Sequence, residues 1–187
     1  MAANIAVVYD ACVLYPAPLR DLLVQLATTG IFRAKWTELI HDEWTRNLLI
    51  KRPDLNADRL ARLRVLMNQN VPDSLVTDFE DLISTVELPD PDDRHVLAAA
   101  ISADAKIIVT FNLKDFPASI IAKHGIVAQH PDVFVGDLIE RYPQQVLQAV
   151  DTILARLKNP PQTFDNHLET LANQGLLTSV AMLRSEI

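Results

Sequence analysis

Two short runs constrain this chain more than anything else in it: NIAVVY at 4–9 and KIIVT at 106–110. Both are dominated by apolar, branched side chains, with polar residues only at their ends (Asn4, Lys106 and Thr110). The first reads as a strand buried on both faces, and the second is the clearest strand in the sequence. After the first, LRDLLVQLA (19–27) has apolar residues at helical spacing, with Gly30 placed as a stop. A second strand, IFRAKW (31–36), then leads through Thr37 as an N-cap into the helix ELIHDEWTRNLLI. Strands alternating with helices predict an α/β fold, a parallel sheet covered by helices.

Further along, Asn56 is placed to cap a helix that runs to about Gln69, and Pro72 and Asp73 are read as opening another that ends near Ser84. ELPDPDDRHVLAAAISA is a proline-broken acidic loop running into an alanine-rich helix. After KIIVT come the loop FNLKDF and a short strand, GIVA (125–128), which completes a sheet of four or five strands. From Pro131 the character changes to helical segments with no strand between them. Residues 1–130 are therefore expected to form the main domain, and 131–187 a helical extension whose apolar stripes pack on it. The core of the main domain is read as complete without that extension.

Composition narrows the function. Hydrophobic residues make up 49% and charged residues 22%, ordinary for a globular protein, and there is one cysteine, Cys12. No apolar run reaches the roughly 18 residues that span a bilayer, and MAANIAVVYD has neither a basic start nor a small-residue cleavage site. No membrane association is expected, and the expected compartment is the cytoplasm. Four scattered glycines cannot build a phosphate-cradling loop. Neither G-x-S-x-G nor H-E-x-x-H occurs. A net charge of −7 argues against gripping nucleic acid by bulk electrostatics, while leaving room for a metal-dependent nuclease whose carboxylates add to that negative total.

In open α/β sheets ligands collect beyond the carboxyl ends of the strands, and the acids concentrate there. Asp10 ends the first strand, and Thr110, Asn112 and Asp115 follow the KIIVT strand. The helix after strand two carries Glu38, Asp42 and Glu43, and Asp90, Asp92 and Asp93 open the alanine-rich helix. Crowded carboxylates repel one another and resist desolvation. A hard cation relieves both, and Mg²⁺ or Mn²⁺ among such ligands also suits phosphodiester hydrolysis.

Four segments carry a resemblance: VVYDACVLYP, ELIHDEW, LPDPDDRHVLAAA and IIVTFNLKDFP. In this order, over residues 4 to about 130, they resemble the PIN-domain ribonucleases, most nearly the VapC-type toxins of bacterial toxin–antitoxin pairs that carry a helical extension. The resemblance implies an α/β/α sandwich with a central parallel sheet, dependence on Mg²⁺ or Mn²⁺, cleavage of single-stranded RNA and an antitoxin protein as partner. A homodimer is left open. By position it makes Asp10, Glu43, Asp93 and Asp115 the metal-holding acids, with Thr110 and Asn112 in support. At the fourth site this chain departs from many relatives, since Asn112 stands where they have an acid.

Each residue also has a plainer reading. Asp10 could cap a turn, the DPDD acids could cap a helix and compensate its dipole, and His41 and His95 read as solvated surface residues. Cys12 reads as a small buried residue, and Trp36 and Trp44 as core rather than base-stacking platforms. Eight basic residues between Arg33 and Arg64 (Arg33, Lys35, Arg46, Lys51, Arg52, Arg59, Arg62 and Arg64), against five acids, either track an RNA backbone or form a solvated face. A haloacid-dehalogenase-type phosphatase would need an acid where Cys12 stands, and a receiver domain would need an acidic pair after strand one. The remaining alternative is a catalytically inactive PIN-fold module that binds proteins.

Overall fold

The structure is a computed structural model that describes residues 5–186. Residues 1–4, with Asn4 of the first predicted strand, and Ile187 at the end of the predicted extension lie outside the described residues. In chain order the elements are β1 (Ala6–Tyr9), α1 (Ala11–Leu14), α2 (Ala17–Ala27), β2 (Arg33–Lys35), α3 (Glu38–Lys51), α4 (Ala57–Asn70), α5 (Glu80–Ile83) and α6 (Arg94–Ser102). They continue as β3 (Ala105–Val109), α7 (Ala118–Ile121), β4 (Val127–Gln129), α8 (Pro131–Arg141), α9 (Pro143–Arg156), α10 (Phe164–Asn173) and α11 (Leu177–Ser185).

The four strands form one parallel sheet in the order β2, β1, β3, β4. Val7 pairs with Ala34 on one side of β1, and Val8 pairs with Ile108 on the other. All four β1 residues are buried, as a strand covered on both faces requires. The α/β class and the parallel sheet therefore stand, with four strands. The chain leaves β1 toward β2 and later returns to β3 on its opposite side. The order thus reverses between β1 and β3, which is where such sheets open a crevice at their carboxyl ends.

Local signals hold where they are strong. Thr37 Oγ1 accepts from the Ile40 N–H at 3.0 Å and Asn56 Oδ1 from the Arg59 N–H at 3.1 Å, each capping its helix. Gly30 adopts φ +76°, the left-handed conformation that closes α2 without a side-chain clash.

The helix expected from Pro72 to Ser84 does not form. Asp73 and Asp78 lie at φ 59° and 58°, outside the helical region. The intervening backbone pairs with the sheet edge instead: the Trp36 N–H donates to the Ser74 carbonyl at 2.9 Å, and the Val76 N–H to the Trp36 carbonyl at 2.8 Å. Only the four residues of α5 remain helical.

The core continues past residue 130. Tyr9 on β1 lies 6.3 Å from Phe32 and 6.3 Å from Phe134 of α8, ring centre to ring centre, and its hydroxyl donates to the Leu23 carbonyl of α2 at 3.0 Å. Phe134, Val135, Val146, Val150 and Leu168 belong to the same buried cluster as Val7, Leu22 and Ile108. The expectation of a core complete without the extension is corrected here: α8 fills the face of the sheet that Tyr9 and Phe32 would otherwise expose. Asp132 ties the extension together, accepting from the Thr178 and Ser179 N–H groups at 3.0 and 2.8 Å and from the Ser179 hydroxyl at 2.7 Å. It thereby caps α11, whose own N-cap residue, Leu176, has no side chain able to do so.

Candidate active site

Asp10 leaves β1 at the reversal point and is 2% exposed. Its backbone N–H donates to the Val109 carbonyl at 3.1 Å, so the residue remains stitched to β3 one step beyond the strand pairing. Oδ1 accepts from the Ala11 N–H at 2.6 Å, which makes Asp10 the cap of α1. Oδ2 accepts from the Thr110 hydroxyl at 2.7 Å and the Cys12 thiol at 3.1 Å. The capping reading of Asp10 is therefore correct as far as it goes, and a second oxygen is held by two side chains besides.

Burial raises the Asp10 carboxyl above its ordinary value and the charge of Glu43 adds to that, while the Thr110, Cys12 and Ala11 hydrogen bonds pull it back. Cys12 is more than the small buried residue expected. Burial and the Asp10 charge push its thiol up, so it stays protonated and able to donate, and its sulfur accepts from the Phe111 N–H at 3.3 Å. Thr110 is fully buried and its hydroxyl oxygen also accepts from the Asn112 N–H at 2.9 Å, which fixes the start of the loop after β3.

Glu43 reaches the site from the second turn of α3, half-buried. A buried network sets the position of that helix. The Trp36 indole N–H donates to Asn68 Oδ1 at 2.7 Å, the same oxygen lies 3.1 Å from His41 Nε2, and the Trp44 indole N–H donates to His41 Nδ1 at 3.0 Å. Since Nδ1 accepts, Nε2 carries the proton and donates to Asn68; burial holds His41 below its ordinary value, in keeping with a neutral ring. His41 is fully buried, against the expectation of a surface residue, because Trp44 and Asn68 satisfy its two ring nitrogens, with Trp36 holding Asn68 in place. Trp36 and Trp44 are core residues, as expected.

His95 is the residue that sequence reasoning missed. Its Nε2 lies 3.2 Å from Glu43 Oε2, its side chain is only 13% exposed, and it joins α6 to α3 across the crevice. No spacing signal links positions 52 residues apart.

Asp93 ends the single 3₁₀ turn Pro91–Asp93, whose first N–H groups Asp90 caps through the Asp92 N–H at 2.9 Å. Burial, then the charges of Asp10, Asp90, Asp115 and Glu43, push the Asp93 carboxyl up to about 7. All four predicted acids therefore share one electrostatic neighbourhood. Asp115 ends the turn Leu113–Asp115 and is partly exposed, while the Asn112 side chain is exposed. Glu38 and Asp42 are drawn elsewhere: Arg64 pairs with both, at 2.7 Å for Asp42. Arg52 pairs with Asp54, and Lys35 donates to the Asp73 carbonyl, so part of the basic stretch is engaged within the protein.

Among the described residues no three His, Cys, Asp or Glu side chains stand together as a finished metal cage. The donor set nevertheless suits a hard divalent ion. Its members are carboxylates, their mutual repulsion is written in the raised Asp93 carboxyl, and among the described residues no ion pair neutralises Asp10, Asp93 or Asp115. Mg²⁺ keeps several of its waters and is held by one or two carboxylates, so it does not need a closed protein cage.

The fold and this acidic crevice define a class, and comparison with known proteins agrees. A family profile described as PIN domain matches residues 6–114, more than half of the chain, which therefore belongs to the PIN-domain family. A second profile, described as the VapC50 C-terminal domain, matches residues 131–185. A Mycobacterium tuberculosis (strain ATCC 25618 / H37Rv) protein, "Putative ribonuclease VapC50", is 35% identical over 109 residues, covering 56% of this chain and 64% of that relative. The chain thus spans less than two thirds of the relative it matches. No solved structure matches the chain. Among the described residues no helix is long and apolar enough to cross a membrane.

Proposed function

We propose that this chain is a metal-dependent endoribonuclease that hydrolyses single-stranded RNA, and that it acts in the cytoplasm as the toxin of a toxin–antitoxin pair. In this reading residues 1–130 form the nuclease and residues 131–187 its helical extension. The observation that carries it is the buried Asp10 carboxylate fixed at the β1–β3 reversal by Thr110 and Cys12, beside an Asp93 whose carboxyl is pushed up by burial and then by the charges of Asp10, Asp90, Asp115 and Glu43. Membership of the PIN-domain family and the 35% identity to a protein whose name contains ribonuclease support it. The match to the VapC50 C-terminal domain supports the assignment of a toxin with a protein antitoxin.

Asp10, Glu43, Asp93 and Asp115 would hold Mg²⁺ or Mn²⁺. A bound ion would supply a water of lowered pKa and a counter-charge for phosphate. Thr110 and Cys12 hold Oδ2 of Asp10 in one orientation, so that this carboxylate is set before any substrate arrives. His95 positions Glu43 by its contact at 3.2 Å. Asn112, anchored through its backbone to Thr110, presents a neutral amide at the mouth of the crevice, suited to orienting a phosphate oxygen without adding charge.

Purified protein should cut a single-stranded RNA in Mn²⁺, stop in EDTA and resume when Mn²⁺ is restored. Asp10→Asn should abolish cutting. Cleavage that survives EDTA or Asp10→Asn at the wild-type rate overturns the proposal, and a wild-type protein that never cuts RNA but binds a protein partner would favour the inactive module.

A further inference from the structure

The acid crevice opens into a cleft of about 380 Å³, lined by Tyr15, Glu43, Asn47, Ile50, Lys51 and Asn112 among others. Glu43, Asn47, Ile50 and Lys51 recur along α3 at the spacing of one helix face. A second cleft, of about 730 Å³, adjoins the first, because Tyr15 and Lys51 line both, and it continues past Arg52. One path therefore leads from Glu43, the one of the four acids that lines it, along the last two turns of α3.

The chemistry changes along that path. Near Glu43 it is acidic, a region that repels a polyanion. At Lys51 it becomes cationic, and Lys51 forms no ion pair among the described residues, unlike Arg52 and Arg64. Between the two lie side chains with unused binding capacity. The Asn47 and Asn112 amides make no side-chain hydrogen bond, Ile50 is 70% exposed, and Tyr15 stacks on no other ring, all among the described residues. Tyr15 is also held firmly. Its N–H closes α1 on the Ala11 carbonyl at 3.0 Å, and its own carbonyl accepts from buried Arg20, which also donates to the Leu14 carbonyl at 2.7 Å. The Arg20 guanidinium lies 4.7 Å from the centre of the Trp44 ring on α3, so the loop carrying Tyr15 is pinned to the helix carrying Lys51.

We propose that this path is the seat of the substrate strand on one side of the cut: a nucleobase stacks on Tyr15, and Lys51 neutralises a phosphate beyond it. The inference rests on the nuclease reading and deepens it, making Tyr15 and Lys51 binding residues that act away from the reacting phosphate. A single strand is the chemistry that fits, because a stacked base needs a π-face free of its duplex partner and the backbone needs a cation at intervals. A protein helix would also use Ile50, but it has no need of a free cation beside a free ring.

The test compares wild type with Tyr15→Leu, Tyr15→Phe, Lys51→Gln and Lys51→Arg on a fluorescent single-stranded RNA long enough to cross both clefts. Arg184→Gln, exposed on α11 and outside both clefts, is the control. Tyr15→Leu and Lys51→Gln should raise KM and the dissociation constant about tenfold with kcat nearly unchanged, and Tyr15→Phe and Lys51→Arg should restore wild-type values. Lys51→Gln should also flatten the salt dependence of binding by about 0.7 in log–log slope, the share of one phosphate in a single strand. A dinucleotide too short to reach Tyr15 should be cut alike by all variants. Wild-type KM, affinity and salt slope in Tyr15→Leu and Lys51→Gln would overturn the inference and leave the path to a protein partner. If wild type binds RNA without ever cutting it, the nuclease reading fails; weakened binding in the same two variants would still support the path.

Discussion

The Thr110 hydroxyl donates to Oδ2 of Asp10 at 2.7 Å, joining the residue that ends β3 to the residue that ends β1 at the point where the strand order reverses. Two parallel strands paired in register bring their carboxyl ends together, so residues a hundred positions apart meet with no intervening loop to order. The hydroxyl favours the charged carboxylate in a place where burial disfavours it.

Thr110→Val keeps the shape and removes the donor. A hydrogen bond to a charged group contributes about 1.5–3 kcal/mol, so metal-dependent cleavage should fall roughly 10- to 100-fold while the fold persists. Initial rates at saturating Mn²⁺, with a thermal melt as control, check this; an unchanged rate would show that Cys12 suffices to hold Asp10.

Asp93→Asn removes one charge from a crowded set. In EDTA at pH 8 the variant should melt higher than wild type, since its neutral amide relieves the repulsion from Asp10, Asp115 and Glu43. Wild type should gain stability on adding Mn²⁺ by mass action, and the variant should gain little. Differential scanning calorimetry with and without the ion measures both; a variant with a lower metal-free melting temperature and a full Mn²⁺ response would remove Asp93 from the site.

Asp115 and Asn112 separate by kinetics. If the Asp115 carboxylate supplies charge to the ion, Asp115→Asn should shift the Mn²⁺ dependence of cleavage to higher concentration. Asn112→Ala should lower turnover at saturating Mn²⁺ while leaving that dependence in place, as loss of a positioning group does. A wild-type metal dependence in Asp115→Asn would exclude that residue as a ligand.

Asp132 makes the docking of α11 sensitive to acid. Burial works to raise its carboxyl, but hydrogen bonds from Ser179 and Thr178 outweigh it and hold the group below its ordinary value. A group depressed in the folded state contributes stability above its unfolded pKa of about 3.9, and that contribution disappears as pH falls through the lower folded value. Wild type should therefore lose stability below about pH 4, whereas Asp132→Asn should start about 1–2 kcal/mol lower at pH 7 and decline less steeply. Urea melts at pH 7 and pH 3 check the sign.

Phe134→Ala tests whether the extension completes the core. Phe134 is buried against Tyr9 and Phe32, with its ring centre 5.3 Å from that of Phe32. The cavity should cost about 3–5 kcal/mol and destabilise the whole chain in one transition. If α8–α11 melted separately and left the sheet intact, the shared core would be refuted.

Much of this architecture is local and can be read in the chain. β1 announces itself because a strand buried on both faces tolerates no polar residue within it, and β3 because its branched apolar run is broken only at its start, where Lys106 is exposed. Thr37 and Asn56 mark helix starts because an N-cap needs only a side-chain oxygen within three residues of the N–H it satisfies. The acids after each strand were legible for the same reason, since the carboxyl end of a parallel strand is a position along the chain before it is a place in space. Where a local pattern competed with a distant partner, it failed: Pro72 and Asp73 look like a helix start, but the Trp36 backbone at the sheet edge recruits Ser74 and Val76 instead. His41 next to Asp42 looks like surface until Trp36, Trp44 and Asn68 close around it, and His95 acquires Glu43 only because α6 and α3 face each other across the crevice. The cleft past Tyr15, and the core that Phe134 shares with Tyr9, likewise depend on the relative placement of helices. That placement is set by side-chain packing summed over the whole interior, where no single interval of sequence carries the information.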